Sequence, residues 1–582
     1  MQLAGSGAFG LAGSAVLWFV PASCSWRAPA RSGSGGLYAP AMSSPILGAQ
    51  TFWELLKRRV AATPDRMMLV DEAGRVLTFA GFKDQAERVA AGLMAMGVTT
   101  GTPVTWVLPT RIETVLLSFA LSRLGAVQNP IIHIYRKREV EFCVRQTGAK
   151  LIVHPGEWAG FDYGAMVGEI VAQLDHPCQT LTGYDTLPEG DPATLPPPPD
   201  AGDAGSVRWL YYTSGTTSDP KGVKHTDGSL IAGGIGLARA LDMSGDDVGS
   251  IAFPYAHIGG PDYIVTMLSS GFGAVLVERF DPAASVATYA RRGVTMAGGS
   301  TVFYQMFLEE DRKSREATGR PAMPALRVLS GGGAPKPPEI YFQVKAQMGI
   351  PVAHGYGMTE CPMISQGSPR DTDDQLAHTD GRPVHGCEVS IVAVAADGGE
   401  APAPRGVQGE VRVRGPMLFA GYTDSSLDEQ AFDTRGRFRT GDLGVLRPDG
   451  HLILTGRVKD IIIRKGENIS AKEIEDVLYA HDKVAAAAVI GLSDPERGER
   501  VCAVVETAPG SEDLTFDEMV EACVDAGLAR QKVPEQLEIH PAPLPRNATL
   551  KILKHKLREI YEARRPVNLT ARELYIARQE DD

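Results

Sequence analysis

The sequence lacks the features that mark several protein classes. Its formal net charge is −12 over 582 residues, so no overall positive field is present to hold a phosphate backbone, and nucleic acid is not an expected partner. We find no internal repeat. The cysteines are scattered, odd in number and without C-x-x-C pairs, which argues against zinc or redox motifs and favours a reducing cytoplasm. They are Cys24, Cys143, Cys178, Cys361, Cys387, Cys502 and Cys523.

Long hydrophobic runs are also missing. The most apolar stretch, roughly residues 8–22, has no positively charged start and is shorter than the ~20 apolar residues of a spanning helix. We therefore expect no integral membrane segment. Residues 1–45 are interpreted as an unstructured leader, or as sequence upstream of a true start at Met42, with a signal peptide or anchor as the alternative.

What the sequence does contain is material for a large core. Hydrophobic residues make up 43% and charged residues 22%, as in soluble globular enzymes, and the length predicts at least two domains. We expect an N-terminal domain over 46–456, a hinge at 457–459, a C-terminal domain over 460–562 and a charged tail over 563–582.

Short β runs alternate with helix-length segments. This alternation predicts an α/β fold, with layered α/β subdomains and a β-rich subdomain in the N-terminal domain and a small, mobile α+β C-terminal domain. A helix is predicted over 82–96, a surface linker between two layers over 185–205, and another helix from a capping box at Ser470. A turn at 448–450 joins two strands. Strands are predicted at 104–108, 151–153, 207–212, 250–253, 274–277, 294–297, 326–330 and 410–414.

The strongest local signal is the segment 211–222, Tyr-Tyr-Thr-Ser-Gly-Thr-Thr-Ser-Asp-Pro-Lys-Gly. It follows a β run and is predicted to precede a helix that starts near Val223. Its glycine allows close backbone approach, its hydroxyl and N–H groups can surround phosphate oxygens, and Lys221 adds a mobile cation. The spacing differs from that of the G-x-x-x-x-G-K-[ST] loop. On composition alone, a flexible Gly/Ser/Thr loop explains the segment equally well.

This segment resembles the signature loop of the adenylate-forming superfamily, which includes acyl-CoA synthetases, luciferases and peptide-synthetase adenylation domains. Ser218 stands where that family usually has Gly. The resemblance extends over about 50–558, because the other family motifs recur in the same order. They are Ser330-Gly-Gly-Gly-Ala-Pro335, Tyr356-Gly-Met-Thr-Glu360, Phe438-Arg-Thr-Gly-Asp442 and Gly456-Arg-Val-Lys-Asp460.

The resemblance implies a site for ATP and Mg²⁺. It assigns adenine to Tyr356 and the 330–335 segment, the ribose hydroxyls to Asp442, and the metal to Glu360 with Thr213. The nucleotide-binding residues expected on this basis are Thr213, Ser214, Gly215, Thr216, Thr217, Lys221, Gly332, Gly333, Ala334, Tyr356, Gly357, Met358, Thr359, Asp442, Arg457 and Lys551.

The resemblance also implies two half-reactions served by one small domain. Lys551 is expected to deliver the adenylating ammonium group, with Lys554 as the alternative because Leu550 replaces the usual Gly. Rotation about Lys459 is expected to bring another loop to coenzyme A for the thioester step. That loop contains Lys465, Gly466 and Glu467. The expected catalytic residues are Lys551, Glu360, Lys221 and His257.

The acid is expected to lie beside the segment 253–260. There His257 would line the acyl pocket, with a satisfied core histidine as the alternative. Amino-acid activators carry an Asp in this region, whereas the first acidic residue here, Asp262, is expected to lie beyond the matching position. We therefore expect a fatty or bulky cyclic or aryl acid. The glycines expected to leave space for it are Gly259, Gly260, Gly298 and Gly299.

These expectations together describe an ATP-dependent carboxylate–CoA ligase, an AMP-forming acid–thiol ligase in the cytoplasm. Its ligands would be a small carboxylic acid, ATP, Mg²⁺ and coenzyme A, and a homodimer is compatible with the sequence. One alternative is an acyl-AMP ligase that loads a carrier protein. An alternative of another class is a nucleotide-binding regulatory protein without catalysis.

Overall fold

Helices and strands alternate through most of the chain, in line with the sequence prediction. The computed structural model describes residues 45–213, 220–394, 399–465, 467–546, 551–562 and 564. Within these residues the helices are α1 Phe52–Ala62, α2 Phe79–Ala95, α3 Ile112–Leu124, α4 Lys137–Thr147, α5 Tyr163–Val171, α6 Asp227–Leu241, α7 Gly259–Ser270, α8 Pro282–Arg292, α9 Thr301–Thr318, α10 Pro338–Met348, α11 Asp373–His378, α12 Asp428–Ala431, α13 Ala471–Tyr479, α14 Phe516–Asp525 and α15 Lys554–Tyr561.

The strands follow the predicted positions closely. They are β1 Met67–Val70, β2 Val76–Thr78, β3 Pro103–Trp106, β4 Val127–Pro130, β5 Leu151–His154, β6 Glu157–Trp158, β7 Phe161–Asp162, β8 Gln179–Thr182, β9 Val207–Thr213, β10 Lys221–Thr226, β11 Val248–Ile251, β12 Gly273–Leu276, β13 Met296–Gly299, β14 Val328–Gly332, β15 Val352–Met358, β16 Cys361–Gln366, β17 Arg382–Pro383, β18 Glu388–Val394, β19 Glu400–Pro402, β20 Gly409–Arg414, β21 Phe438–Leu446, β22 Leu452–Arg457, β23 Ile461–Arg464, β24 Glu467–Ser470, β25 Val484–Asp494, β26 Gly498–Thr507 and β27 Gln536–Ile539.

Helix boundaries are set by local chemistry. The Thr51 and Thr78 side chains accept hydrogen bonds from the first turns of α1 and α2, and Asp281 does the same before Pro282 in α8. Such N-caps satisfy amides that have no partner inside the helix. Gly125 ends α3 in the left-handed conformation at φ 68°, where glycine carries no steric penalty.

Three sheets with parallel strands form the larger part of the fold. A six-stranded sheet has the order β10-β9-β4-β3-β5-β8, a four-stranded sheet β11-β12-β1-β2, and a five-stranded sheet β13-β14-β15-β16-β17. The pairs β3–β4, β3–β5, β13–β14 and β14–β15 are parallel, whereas β10, β16 and β17 add antiparallel edges. Helices cover these sheets, and the cores contain Trp53, Trp106 and Trp209, each at most 1% exposed.

Two further sheets complete the fold class. The order β19-β18-β20-β21-β22 is antiparallel, as the alternation after Cys387 and the 448–450 turn predict. The C-terminal segment builds β24-β23-β26-β25, with β27 parallel to β26, and packs α13 and α14 over it around Ile474 and Met519. The predicted fold class of α/β layers, a β-rich part and a small α+β part is confirmed.

Three local predictions are wrong. The segment after the phosphate loop is not a helix from Val223 but β10, which pairs antiparallel with β9, and α6 begins only at Asp227. The 185–205 segment does not link two layers, because it joins β8 to β9 and both strands belong to the same six-stranded sheet. Helix α13 begins after Ser470 as predicted, but the predicted capping hydrogen bond is absent, because the Ser470 hydroxyl instead donates to the Thr455 carbonyl at 2.5 Å. No helix among the described residues is both long and apolar enough to span a bilayer.

Candidate active site

Residues from five predicted motifs border one cavity of about 1300 Å³. Thr213 and Lys221 come from the two ends of the phosphate loop, and Lys551 comes from the far C-terminal end of the described chain. The other motif residues in the lining are Ser330, Gly331, Gly332, Gly333, Gly357, Met358, Thr359, Glu360, Phe438, Arg439, Thr440, Gly441, Arg457, Val458 and Lys459. The fold therefore brings together positions more than three hundred residues apart in sequence.

The phosphate loop connects the two strands of a β-hairpin. Thr213, the last residue of β9, is in register with Lys221, the first residue of β10, so the two side chains flank the loop from opposite strands. Ser214, Gly215, Thr216 and Thr217 lie outside the described residues. The hairpin keeps a hydroxyl and an ammonium group next to each other at the edge of the cavity.

Lys221 and Glu360 are connected through Tyr422. The Lys221 Nζ lies 5.4 Å from the centroid of the Tyr422 ring, within cation–π range, and the Tyr422 hydroxyl donates to Glu360 Oε1 at 2.8 Å. The sequence reasoning did not single out Tyr422. No local pattern indicates it, since it stands 62 positions from Glu360.

The backbone beside Glu360 is held by a buried histidine. The Nε2 of His225 lies 2.7 Å from the Thr359 carbonyl, and its Nδ1 lies 2.8 Å from the Ser229 hydroxyl. Burial lowers the pKa of His225 to about 4, so the ring is neutral near pH 7 and donates its single proton to the carbonyl. His225 therefore positions the turn between β15 and β16, and sequence analysis missed it.

Asp442 organises the part of the site assigned to the nucleoside. It faces Arg457 across the β21–β22 ladder, with 2.8 Å between Oδ1 and Nε, and its Oδ2 accepts a hydrogen bond from the Tyr356 hydroxyl at 2.5 Å. Burial and the Asp442 carboxylate both raise the pKa of Tyr356, which keeps the phenol protonated as a donor. Ala334, together with Tyr356 and Asp442, borders an adjoining smaller cavity that Lys551 also lines.

The glycines of the 330–335 segment are required by the neighbouring strands. A Cβ on Gly331 would lie 1.7 Å from the Gly299 carbonyl oxygen, and one on Gly332 would lie 2.6 Å from that of Gly355. Contacts this short do not occur, so larger side chains would push the strands of this sheet apart. Because the strands are this close, the segment from Ser330 to Gly333 borders the cavity mainly with its backbone.

Lys551 sits among charged groups of the predicted hinge region. Burial lowers its pKa to about 8, helped by the neighbouring Arg457 and Lys459 cations and opposed by the carboxylates of Asp442 and Asp460. Lys554, the alternative, instead forms a 2.7 Å ion pair with Glu475 and borders only the smaller cavity. Of the two lysines, only Lys551 lines the larger cavity.

The predicted acyl wall is partly formed as expected. His257, Gly259, Gly298 and Gly299 line the cavity, and burial lowers the pKa of His257 to about 4. The Gly259 amide donates to its Nδ1 at 3.2 Å, so the proton of the neutral ring is on Nε2. Gly260 does not line the cavity, because a Cβ there would lie 2.1 Å from the Tyr255 carbonyl oxygen and the position serves local packing.

Asp262, which is expected to lie beyond the position matching the Asp of amino-acid activators, nevertheless lines the cavity. The reason is helical geometry. Since α7 begins at Gly259, residue 262 comes back onto the same helix face as residue 259, whereas counting along the sequence places it too far away.

The residues expected to serve the thioester step are not in this cavity. Lys465 and Glu467 flank the β23–β24 turn and line neither cavity, and Gly466 lies outside the described residues. Lys465 adopts φ 50°, and its amide donates to the Arg497 carbonyl at 2.7 Å. The cavity thus combines the predicted hinge residue Lys459 and Lys551 with Thr213 and Lys221 at the ends of the phosphate loop, but it does not include Lys465 or Glu467.

The donors present fit a magnesium ion bound together with a nucleotide. No group of three or more His, Cys, Asp or Glu side chains suited to a metal occurs in the described parts of the chain. Glu360 contributes one carboxylate at the cavity and Thr213 one hydroxyl. Mg²⁺ commonly uses one or two carboxylates, water and phosphate oxygens, so this donor set suits it.

Comparisons with known proteins agree with this geometry. Residues 56–423 match the AMP-binding enzyme family, and residues 473–551 match the AMP-binding enzyme C-terminal domain. The chain belongs to the adenylate-forming AMP-binding enzymes. The family predicted from the motifs is confirmed, and so is the enzyme class, an AMP-forming acid–thiol ligase.

Relatives of known function include enzymes with different acids and acceptors. A salicyl-AMP ligase / salicyl-S-ArCP synthetase of Mycobacterium tuberculosis is 30% identical over 92% of this chain and 97% of its own length. A medium-chain fatty-acid–CoA ligase of Escherichia coli is 30% identical over 87% of this chain and 89% of its own.

Solved structures of the family match over most of the chain. ATP-bound MatB of Rhodopseudomonas palustris has a TM-score of 0.78 at 27% identity, covering 88% of this chain and 99% of its own. The o-succinylbenzoate CoA synthetase of Bacillus subtilis, in complex with its acyl-adenylate, has a TM-score of 0.75 at 28% identity, covering 89% and 99%.

Proposed function

We propose that the chain is an ATP-dependent carboxylate–CoA ligase that forms an acyl-adenylate and then an acyl-CoA. The observation that carries the proposal is the position of Lys551, which lines the same cavity as the phosphate-loop residues Thr213 and Lys221. A lysine held there by a separate small domain is suited to act on ATP and acid together.

In the first half-reaction, a carboxylate oxygen of the acid forms a bond to the α-phosphorus of ATP while the bond to pyrophosphate breaks. Both reactants are anionic, so the reaction needs cations at the reacting oxygens. Lys551 is proposed to bridge the carboxylate and the α-phosphate, while Lys221 binds the outer phosphates and Arg457 stays near the ribose through Asp442. Mg²⁺ held by Glu360 would offset the remaining triphosphate charge.

His257 and Thr359 are proposed to orient the two reactants. The Nε2–H of the neutral His257 ring is available on the cavity wall as a donor to the acid. Thr359, whose carbonyl is fixed by His225, would present its hydroxyl to the α-phosphate. Tyr356 supplies the aromatic face proposed for adenine.

In the second half-reaction, the sulfur of coenzyme A forms a bond to the acyl carbon and AMP leaves. Since Lys465 and Glu467 lie outside the cavity, we propose that the small domain rotates about Lys459 after adenylation, withdrawing Lys551 and bringing in the 465–467 turn. The substrate is proposed to be a fatty or bulky cyclic or aryl acid, because the cavity that His257 lines is also lined by Leu237, Phe253 and Met363.

A carrier protein is the second candidate for the thiol acceptor. It is supported by the likeness to the salicyl-AMP ligase / salicyl-S-ArCP synthetase. The two acceptors share the adenylation chemistry and differ only in which thiol reaches the acyl-adenylate.

The test measures pyrophosphate and AMP release with ATP and Mg²⁺ over fatty, cyclic and aryl acids, with and without coenzyme A. Acid-dependent pyrophosphate release followed by CoA-dependent AMP and thioester formation is expected. Pyrophosphate release that never responds to coenzyme A would favour the carrier protein. ATP binding without acid-dependent pyrophosphate release would refute a ligase.

A further inference from the structure

The acid-binding part of the cavity contains a buried carboxyl group without a hydrogen-bond partner. Asp262, in the first turn of α7, is 2% exposed and lines the cavity. Its Oδ1 is buried and accepts no hydrogen bond from the described residues. Burial without a partner is unfavourable for such a group, so a partner supplied by a ligand would explain its presence.

The neighbouring helix leaves room for this carboxyl group. A Cβ on Gly233 of α6 would lie 2.6 Å from Asp262 Oδ1 and 3.4 Å from Pro362 Cβ. Any larger residue at position 233 would therefore displace the carboxyl group. The packing of α6 against α7 accommodates an acidic side chain here although nothing on α6 binds it.

Two other buried carboxylates of the chain have protein partners, as expected of acidic residues with a structural role. Asp227 accepts hydrogen bonds from the Phe52 amide and from Trp209 Nε1, at 3.0 and 2.9 Å. Asp247 is paired with Arg327 at 2.6 Å. Asp262 has no comparable contact among the described residues, and its place at the start of α7 lowers the cost of negative charge without giving Oδ1 a donor.

The surroundings favour a neutral partner over a cation. The same cavity is lined by Leu237, Ile258 and Met363, and an ammonium group would lose its hydration among such side chains. Burial raises the pKa of Asp262 to about 8, so the carboxyl group is mostly protonated at neutral pH. A protonated carboxyl group both donates and accepts hydrogen bonds, as a hydroxyl group does.

We propose that Asp262 is a specificity residue that hydrogen-bonds a hydroxyl group of the acid, so that a hydroxylated carboxylic acid is preferred to its unsubstituted parent. The inference rests on the proposed function, since it takes the cavity to hold the acid. It narrows the substrate class from fatty or bulky acids in general to those carrying a hydroxyl group beyond the reacting carboxylate.

The test compares kcat/KM for pyrophosphate release by the full chain on acids that differ by one hydroxyl group. Octanoate is paired with each hydroxyoctanoate, and benzoate with each hydroxybenzoate. We expect one hydroxylated acid to be preferred by about 10- to 100-fold, the usual effect of leaving a buried polar group unpaired. Asp262→Leu is expected to remove this preference by losing activity on the hydroxylated acid while turnover of the parent is kept or raised.

Two further variants sharpen the test. Asp262→Asn, which keeps hydrogen-bonding atoms and shape, is expected to retain part of the preference, and it tests the proposal even if the leucine variant fails to fold. Ser250→Ala removes another hydroxyl that lines the cavity. This variant is expected to keep the preference, which would assign it to Asp262 rather than to cavity polarity in general.

Each outcome has a separate meaning. Turnover without any hydroxyl preference, or with a preference unchanged in both Asp262 variants, overturns this inference and leaves the ligase proposal standing. Preference for amino-substituted acids over hydroxylated ones also overturns it, by assigning Asp262 to an ammonium group. No pyrophosphate release from any acid contradicts the ligase proposal itself, and this inference with it.

Discussion

Replacing Lys551 with alanine should separate the two half-reactions. Lys551 lines the cavity with Thr213 and Lys221, whereas Lys465 and Glu467 do not, so under the proposed mechanism the variant loses a group used only for adenylation. We expect pyrophosphate release to fall while thioester formation from supplied acyl-adenylate and coenzyme A is largely kept.

The size of the loss can be estimated in two ways. Two unit charges about 4 Å apart at an effective dielectric constant of about 20 interact by about 4 kcal/mol, which corresponds to about 10³-fold in rate. Removing one group that stabilises developing charge in other enzymes costs about 10²- to 10³-fold. Since Arg457 and Lys459 remain near the site, the loss should appear in kcat more than in the KM for ATP.

The pH dependence gives an independent check on Lys551. Its pKa is lowered to about 8, and the charged form is the active one, so kcat/KM for adenylation should fall as pH rises through about 8. Bound ATP is negatively charged and should raise the pKa of Lys551. The decline in kcat should therefore occur at higher pH than the decline in kcat/KM. Lys551→Arg should remove this decline from the accessible range, because a guanidinium group stays protonated.

Pyrophosphate exchange measures the first step, and single-turnover thioester formation from synthetic acyl-adenylate measures the second. Lys554→Ala is the matched control, since Lys554 pairs with Glu475 and does not line the larger cavity. Equal loss of both steps in Lys551→Ala, or an effect of Lys554→Ala as large as that of Lys551→Ala, would refute the division of labour.

Three other substitutions test separate parts of the site. Asp442→Asn removes the charge that pairs with Arg457 at 2.8 Å and should raise the KM for ATP by about 10- to 100-fold, measured by initial rates; an equal rise in the KM for the acid would contradict the ribose assignment. Glu360→Gln should raise the half-saturating Mg²⁺ concentration by at least about tenfold, the lower end of what a lost supporting group costs a metal site, and an unchanged Mg²⁺ titration would exclude Glu360 as a ligand. Gly298→Ala places a Cβ 1.5 Å from the Ser330 carbonyl oxygen and should destabilise the fold by about 3 kcal/mol or more. Thermal melting checks this, with Gly168→Ala in α5, where a Cβ meets nothing within 4 Å, as a control expected to melt no lower than the parent.

The sequence predicted the layers of this fold because strand and helix periodicities are local. It also predicted which motifs meet, because their order matched a family whose site is built from them. Two residues were missed because their partners are distant, and a third was not expected at the cavity. Tyr422 lies 62 positions from Glu360 and His225 lies 134 positions from Thr359, while Asp262 reaches the cavity only through the starting point of α7.

The error at Val223 has a similar origin. The run from Gly222 to Thr226 is short and suits either a helix start or an edge strand. Pairing decides it, since Val223 lies opposite Tyr211 on β9 and forms a bridge with Tyr422 on its other side. Such pairing involves residues that are distant in sequence, so a local sequence pattern cannot predict it.

The hydrogen bond of the Ser470 hydroxyl affects the free energy of the proposed domain rotation. In the present arrangement it ties the small domain to Thr455, on the other side of Lys459, and leaves the first turn of α13 without a side-chain cap. A rotation that separates these residues would release the hydroxyl to cap α13. One hydrogen bond would then be exchanged for another, so the serine would make the two proposed orientations closer in free energy than a hydrogen bond present in only one of them.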